Sequence, residues 1–216
     1  LLIHSKSYMF FSHTSKIQPD NSAAAQGTPG MDKKELLREI LKKKITLIDY
    51  ENIRDDLSRR YLGFGRFAGI VGCYNSLNLY LEKIGKNPMP RAYKLNSYEK
   101  LKKNIGLQNF EKAKIIVTGD GRVARGTLEF LKFSNINQIS KNNFNTYNNS
   151  TAVFCNLTTS DYTKHKNDKE FDLQHFIRSP NAYVSTLENY LPYATMLISS
   201  HYWDPKSPRL FQKENI

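Results

Sequence analysis

The sequence predicts an α/β protein with parallel sheets, arranged as two domains. Three observations carry that expectation. Short apolar, β-branched runs alternate with amphipathic helical patterns; a glycine turn in mid-chain joins one such run to a helix; and a stretch holding Pro88 and Pro90 separates the two halves. With 39% hydrophobic and 12% aromatic residues, 216 residues suffice for one large or two small cores.

The mid-chain stretch is Lys114 to Leu131. Lys114-Ile115-Ile116-Val117-Thr118 reads as a buried strand, Gly119-Asp120-Gly121 as a turn, and the segment after it as a helix with Ala124, Leu128 and Leu131 on one face. The spacing has the G-x-G-x-x-A form of a dinucleotide-binding fingerprint and makes this half Rossmann-like. Gly119 permits the turn, Gly121 lets a pyrophosphate approach the backbone, and Ala124 is small enough for the helix to lie close to the strand. The first N–H groups of the helix, at Arg122 and Val123, would face the phosphates with the helix dipole behind them. The same turn also fits an ordinary strand-to-helix connection that needs glycine for a positive φ.

In chain order, Ser7 to Ser12 reads as an aromatic-rich strand that leaves the sheet at His13. Groups at the carboxyl end of such a strand face the ligand crevice, so His13 is a candidate acid/base, its alternative being a hydrogen-bonded structural histidine. Asp20 to Gly30 is rich in Asn, Ser, Ala, Pro and Gly and reads as an insertion. A helix with a capping-box-like start at Asp32 and Glu35 and a Glu39–Lys43 pair follows, then a strand at Ile45 to Ile48. Asp49 and Glu51 stand just beyond that strand, suited to a cationic group or to capping a turn. Gly63 to Gly85 predicts a long helix whose small residues permit close packing, and Gly85 to Asn96 a joint between domains 1–85 and 86–216.

Tyr98 to Leu107 predicts a lysine-rich surface helix, Ile136 to Ile139 and Thr151 to Leu157 strands, and Asn142 to Ser150 a loop. Asn181 to Tyr190 predicts a helix and Ala194 to Ser200 a last strand. The fingerprint expects an acidic residue about 20 positions on, to hold the ribose 2′-hydroxyl. Ser140 and Lys141 stand there instead, and a hydroxyl beside an ammonium suits a 2′-phosphate, which tilts the expected cofactor toward NADP over NAD.

The net charge of +12 comes mainly from lysines, at Lys42 to Lys44, across Lys83 to Lys103 and at Lys112 and Lys114. No nucleic-acid-binding module accompanies them, so solvated faces and attraction for anionic small molecules are the expectation. No run approaches the roughly 18 to 20 apolar residues of a membrane span, and Leu1 to Phe11 lacks the pattern of a signal peptide. Cys73 and Cys155 have neither metal-ligand nor disulfide-scaffold spacing, which points to a reducing compartment: cytoplasmic, with mitochondrial as the alternative.

Five segments together resemble one family. Phe11-Ser12-His13-Thr14-Ser15-Lys16-Ile17-Gln18, Ile45 to Glu51, Gly63 to Gly72, Val117 to Val123 and Tyr202-Trp203-Asp204-Pro205-Lys206-Ser207-Pro208-Arg209-Leu210 are similar, in this order, to lysine-forming saccharopine dehydrogenases. These include the lysine-ketoglutarate reductase half of aminoadipic semialdehyde synthases, within the alanine dehydrogenase and transhydrogenase superfamily. The resemblance implies a substrate domain, a Rossmann domain binding NAD(P), and an active site in the cleft between them. The implied substrates are lysine, 2-oxoglutarate and saccharopine, with no nucleic-acid or membrane partner. It places the acid/base histidine on His13 and substrate contacts on Lys16, Gln18 and Glu51. The chain departs from the family in its Asp20 to Gly30 insertion and in Ser199-Ser200-His201, which replaces a usual Asn-Gly pair. The family's catalytic lysine and first βα units would lie upstream of Leu1 and its last strands downstream of Arg209, so a fragment lacking both ends is expected. The alternatives are a nucleotide-binding module without turnover and an alanine dehydrogenase-like enzyme.

Overall fold

The computed structural model describes residues 2–16, 33–58, 60–148 and 151–212, which fall into two compact units, Leu1–Gly63 and Phe64–Ile216. The expected α/β class with parallel sheets is what forms. In the first unit, β1 (Ser7–Phe10) pairs in parallel with β2 (Thr46–Asp49), with Ser7 opposite Thr46 and Phe10 opposite Asp49. A parallel pair needs a crossover, and α1 (Lys33–Lys42) lies within it with Ile40 buried. The Asp32 cap and the Asp20 to Gly30 insertion fall outside the described residues. β1 stops at Phe10, short of the expected Ser12, because Ser12 turns its hydroxyl onto Asp49 and His13 adopts the left-handed region at φ 56°.

The second unit is built on a four-stranded parallel sheet in the order β4 (Asn137–Gln138), β5 (Val153–Leu157), β3 (Lys114–Thr118), β8 (Met196–Ser199). All five residues of β3 are buried, as a central strand covered on both faces requires. Side chains alternate: Ile115 and Val117 join a core with Leu77, Leu81, Ile105 and Phe130, while Ile116 joins a second core with Phe144, Leu157, Tyr162 and Leu187. Lys114, expected among solvated lysines, is buried as well. Its ammonium donates to Tyr147 O at 3.1 Å and lies over the Phe144 ring at 5.0 Å, and burial lowers its pKa.

Helices α2 (Gly65–Lys83), α3 (Tyr98–Gly106) and α4 (Arg122–Leu131) supply the first of these cores. α2 and α4 cross where glycines face each other's backbone. A Cβ on Gly69 would stand 2.0 Å from Val123 O, and one on Gly126 would stand 2.0 Å from Arg66 O. Beside the crossing, Arg66 donates twice to the Glu129 carboxylate, from Nε at 2.7 Å and Nη2 at 2.5 Å, and Tyr98 adds a third bond at 3.0 Å. α2 therefore belongs to the second unit, and the division falls after Gly63 where the sequence suggested a joint at Gly85 to Asn96. That proline-bearing stretch is held onto α2: Asn78 bonds both the N–H and the carbonyl of Met89, and Tyr74 Oη donates to Pro90 O.

The helix expected over 181–190 does not form. Tyr183–Ser185 is a strand, β7, pairing antiparallel with β6 (Thr163–His165), and short 3-10 turns flank it. Pro180 breaks the approach, and Tyr183 buries its ring against His165, Phe171 and Phe176. The Asn142 to Ser150 loop likewise begins inside a short helix, α5 (Lys141–Phe144), capped by Ser140, and α6 (Leu173–Arg178) precedes β7.

The glycine crossing makes a two-sided prediction. Gly126→Ala forces α2 off α4 and is expected to cost about 1 to 3 kcal/mol. Gly72→Ala, on the same α2 helix with no atom within 4 Å of its Cβ position, is expected to stabilise by about 0.5 to 1 kcal/mol through helix propensity. Denaturant unfolding followed by far-ultraviolet circular dichroism measures both, and equal effects of the two would contradict the crossing.

Candidate functional site

The glycine turn of the second unit is fixed by its neighbours. Gly119 has φ 102°, a region that side chains disfavour, and a Cβ there would lie 2.9 Å from Ser200 O and 3.0 Å from His201 Cα. Its N–H donates to Leu157 O on β5, and Asn156 Nδ2 donates to the carbonyls of both Val117 and Gly119. Gly121 is different: its φ of −75° suits any residue, and a Cβ would meet nothing within 4 Å. Arg122 and Val123 then open α4, where the leading N–H groups of a helix lack intrahelical acceptors. Ala124 is fully buried.

Ser140 accepts from Asn142 N as the cap of α5, and Lys141 pairs with Asp161. Asp161 closes a capping box with Thr158, accepting from its N–H at 2.7 Å and its hydroxyl at 2.8 Å. Burial would raise the Asp161 carboxyl, but the Lys141 ammonium and the Thr158 donors outweigh it and hold the group below its usual range. The sheet order matters here. β5, not β4, lies beside β3, so the strand end adjoining the glycine turn is Thr158 to Asp161, while Ser140 and Lys141 follow the outermost strand. Lys141 reaches the inner strand end only through its ion pair.

In the first unit, the parallel register sets the ends of β1 and β2 side by side. His13 Nδ1 lies 3.2 Å from Glu51 Oε2, and Arg60 Nη1 lies 3.4 Å from Glu51 Oε1. The Glu51 side chain is 2% exposed and that of His13 50%, so a buried carboxylate faces a half-open imidazole. Asp49 sits beneath them, accepting from Ser12 Oγ at 2.5 Å and from Glu51 N at 2.9 Å. Burial raises its carboxyl, yet these two donors prevail and its pKa lies below the ordinary value. Lys16 ends the 3-10 turn Thr14–Lys16, and Gln18 lies outside the described residues.

The Tyr202 to Leu210 segment folds on itself, Trp203 Nε1 donating to Pro208 O at 3.2 Å, Asp204 capping the turn through Lys206 N, and Ser185 Oγ donating to Leu210 O at 2.6 Å. Sequence reasoning missed Asn156, Asp161, Arg60 and His201. Only Asp161, an acid soon after a strand, carried a local signal. Cys73 and Cys155 are free and buried, with the Cys155 thiol pushed up to about 12 by burial. Among the described residues no group of His, Cys, Asp and Glu is arranged to hold a metal, and no helix is long and apolar enough to cross a membrane.

Parallel sheet, glycine turn and crossover helix together define a Rossmann-like α/β protein. Along 99% of its length this chain is 28% identical to the rat and mouse proteins named alpha-aminoadipic semialdehyde synthase, mitochondrial, and along its whole length 25% identical to the Arabidopsis thaliana alpha-aminoadipic semialdehyde synthase. It spans about a quarter of these relatives, 24% of the animal proteins and 22% of the plant one. No family model matches. The relatives bear the names of enzymes, and the similarity runs through both units.

The Asp49 environment sets a pH dependence. A carboxyl depressed in the folded state stabilises fully above its unfolded value of about 3.9 and loses that contribution as pH falls through the lower folded value. Ser12→Ala is expected to move the Asp49 titration upward, so that the first unit loses structure at a higher pH on acidification. Carbon-detected NMR titration of the Asp49 carboxyl measures it, and an unchanged midpoint would refute the role given to the Ser12 bond.

Proposed function

We propose that this chain carries the nucleotide turn and the proton-moving histidine of an NAD(P)-dependent oxidoreductase of lysine metabolism. The reaction joins the ε-amine of lysine to the keto carbon of 2-oxoglutarate, loses water, and reduces the resulting imine to saccharopine, or runs in reverse. The observation that carries the reading is the similarity to the semialdehyde synthases over 99% of the chain or more, which includes the His13 segment and the glycine turn alike.

The residues present fit a dinucleotide. Gly121 offers open space where a side chain would stand, and the leading N–H groups and dipole of α4 suit a diphosphate. When bound, the nicotinamide supplies or accepts the hydride. Lys141, an ammonium next to Ser140, favours the 2′-phosphate of NADP(H) over NAD(H), a preference moderated by its pairing with Asp161. The rest is the work of the first unit. With Nδ1 facing the Glu51 carboxylate at 3.2 Å, a neutral His13 keeps its ring proton on that side and leaves Nε2 as the base, and that nitrogen takes the proton from the bridging amine of saccharopine, or returns it in the reductive direction. Buried between His13 and Arg60, Glu51 orients the imidazole, which refines the substrate contact expected of it. Lys16 and Gln18 supply a cation and an amide suited to substrate carboxylates.

Two measurements test this reading. Gly121→Val places its side chain in open space, so circular dichroism and melting temperature are expected to match the parent while NADPH binding, followed by fluorescence, is lost; retained binding would falsify the nucleotide assignment. His13→Asn keeps a residue that tolerates the left-handed backbone. In the full-length protein, saccharopine-dependent reduction of NADP per folded molecule is expected to fall about 10²- to 10⁴-fold, with NADPH affinity unchanged. Unchanged turnover with a lowered melting temperature would make His13 scaffolding.

A further inference from the structure

We propose that His201 is a nucleotide-contacting residue whose Nε2–H donates to an oxygen of the dinucleotide bound at the glycine turn. The inference rests on the nucleotide reading above and adds a second element to that site. In an open parallel sheet, ligands bind outside the carboxyl ends of the strands where the chain switches from one side of its first strand to the other. From β3 the chain proceeds to β4 and β5 on one side and afterwards to β8 on the other, so the switch lies between β3 and β8. The residues leaving those two strands are Gly119 to Gly121 and Ser200 with His201. They are in contact: the Cβ position of Gly119 is 3.0 Å from both the N and the Cα of His201.

The imidazole is held from two sides. Nδ1 lies 2.7 Å from the Oγ1 of fully buried Thr118, and the ring packs on Tyr162 at 5.8 Å between centroids. Burial lowers its pKa, which keeps it neutral near pH 7. The roles in this bond follow the tautomer; in the one proposed, the Thr118 hydroxyl donates to Nδ1 and the single ring proton sits on Nε2, which has no hydrogen-bond partner among the described residues. A fixed, uncharged donor beside a phosphate-facing turn matches a ribose hydroxyl or a phosphate oxygen.

Fluorescence titration with NADPH and with NADH tests this on the parent, His201→Asn and His201→Gln. Asn keeps an acceptor for Thr118 but does not reach the place of Nε2; Gln carries an amide N–H there. Asn is expected to weaken binding about tenfold, with the nucleotide-free melting temperature close to the parent's, and Gln to stay within about threefold of the parent. Parental affinity in Asn, or equal losses in Asn and Gln, would overturn the proposal while leaving the nucleotide reading intact. A parent that binds neither nucleotide would overturn both.

Discussion

The second unit depends on how closely α2 approaches α4. Two glycines, Gly69 and Gly126, let the carbonyls of Val123 and Arg66 come where a methyl group would otherwise stand. Thr127 exploits that closeness: its hydroxyl donates to Gly69 O at 3.2 Å and bonds Ser200 Oγ at 3.0 Å, so one buried side chain joins α2, α4 and the end of β8. With the middle of α4 fixed in this way, its first turn meets the sheet at Gly119 to Gly121. The start of α4, an open Gly121 and the end of β8 are thereby brought to one place by packing alone.

The first unit solves a different problem, keeping carboxylates buried. Asp49 and Glu51 are 8% and 2% exposed; Asp49 accepts from Ser12 Oγ and Glu51 N, and Glu51 lies within ion-pair distance of His13 and Arg60. An unpaired buried charge is costly, so the Ser12 hydroxyl, the Glu51 N–H, His13 and Arg60 are as much conditions of folding as features of a site. The left-handed backbone at His13 belongs to the same arrangement, since it lets the chain turn off β1 directly onto Glu51.

What the sequence disclosed follows from how local each signal was. β3 and α4 were legible because an all-apolar run, two glycines at fixed spacing and a 3.6-residue pattern lie within one stretch. A strand ahead of His13 was legible for the same reason, although it ends at Phe10 and not at Ser12. The sheet order was not legible: counting about 20 residues to a ribose partner assumes that the next strand lies alongside β3, whereas β5 takes that place and β4 the edge. β6 and β7 were hidden because three-residue strands such as Thr163–His165 carry too few side chains to show a period, and their pairing is set by a partner distant in sequence. Glu51 and Arg60 met His13 through the register of β1 on β2, which no single segment encodes.

The pairing of β6 with β7 has a kinetic side. Bonds between β3 and β5 join residues 39 apart, as from Asn156 to Val117, whereas Lys114 and Thr195, which bring β8 to β3, are 81 apart. Each doubling of a closed loop costs only about 0.6 kcal/mol of chain entropy, yet long-range pairings are also the ones that slow assembly. A nascent chain can lay down β3, α4 and β5 and already possess its glycine turn while β6 and β7 are still unpaired. Until β8 docks, that turn lacks Ser200 and His201 behind Gly119, so the wall of the crevice is finished by a strand made well after the turn itself.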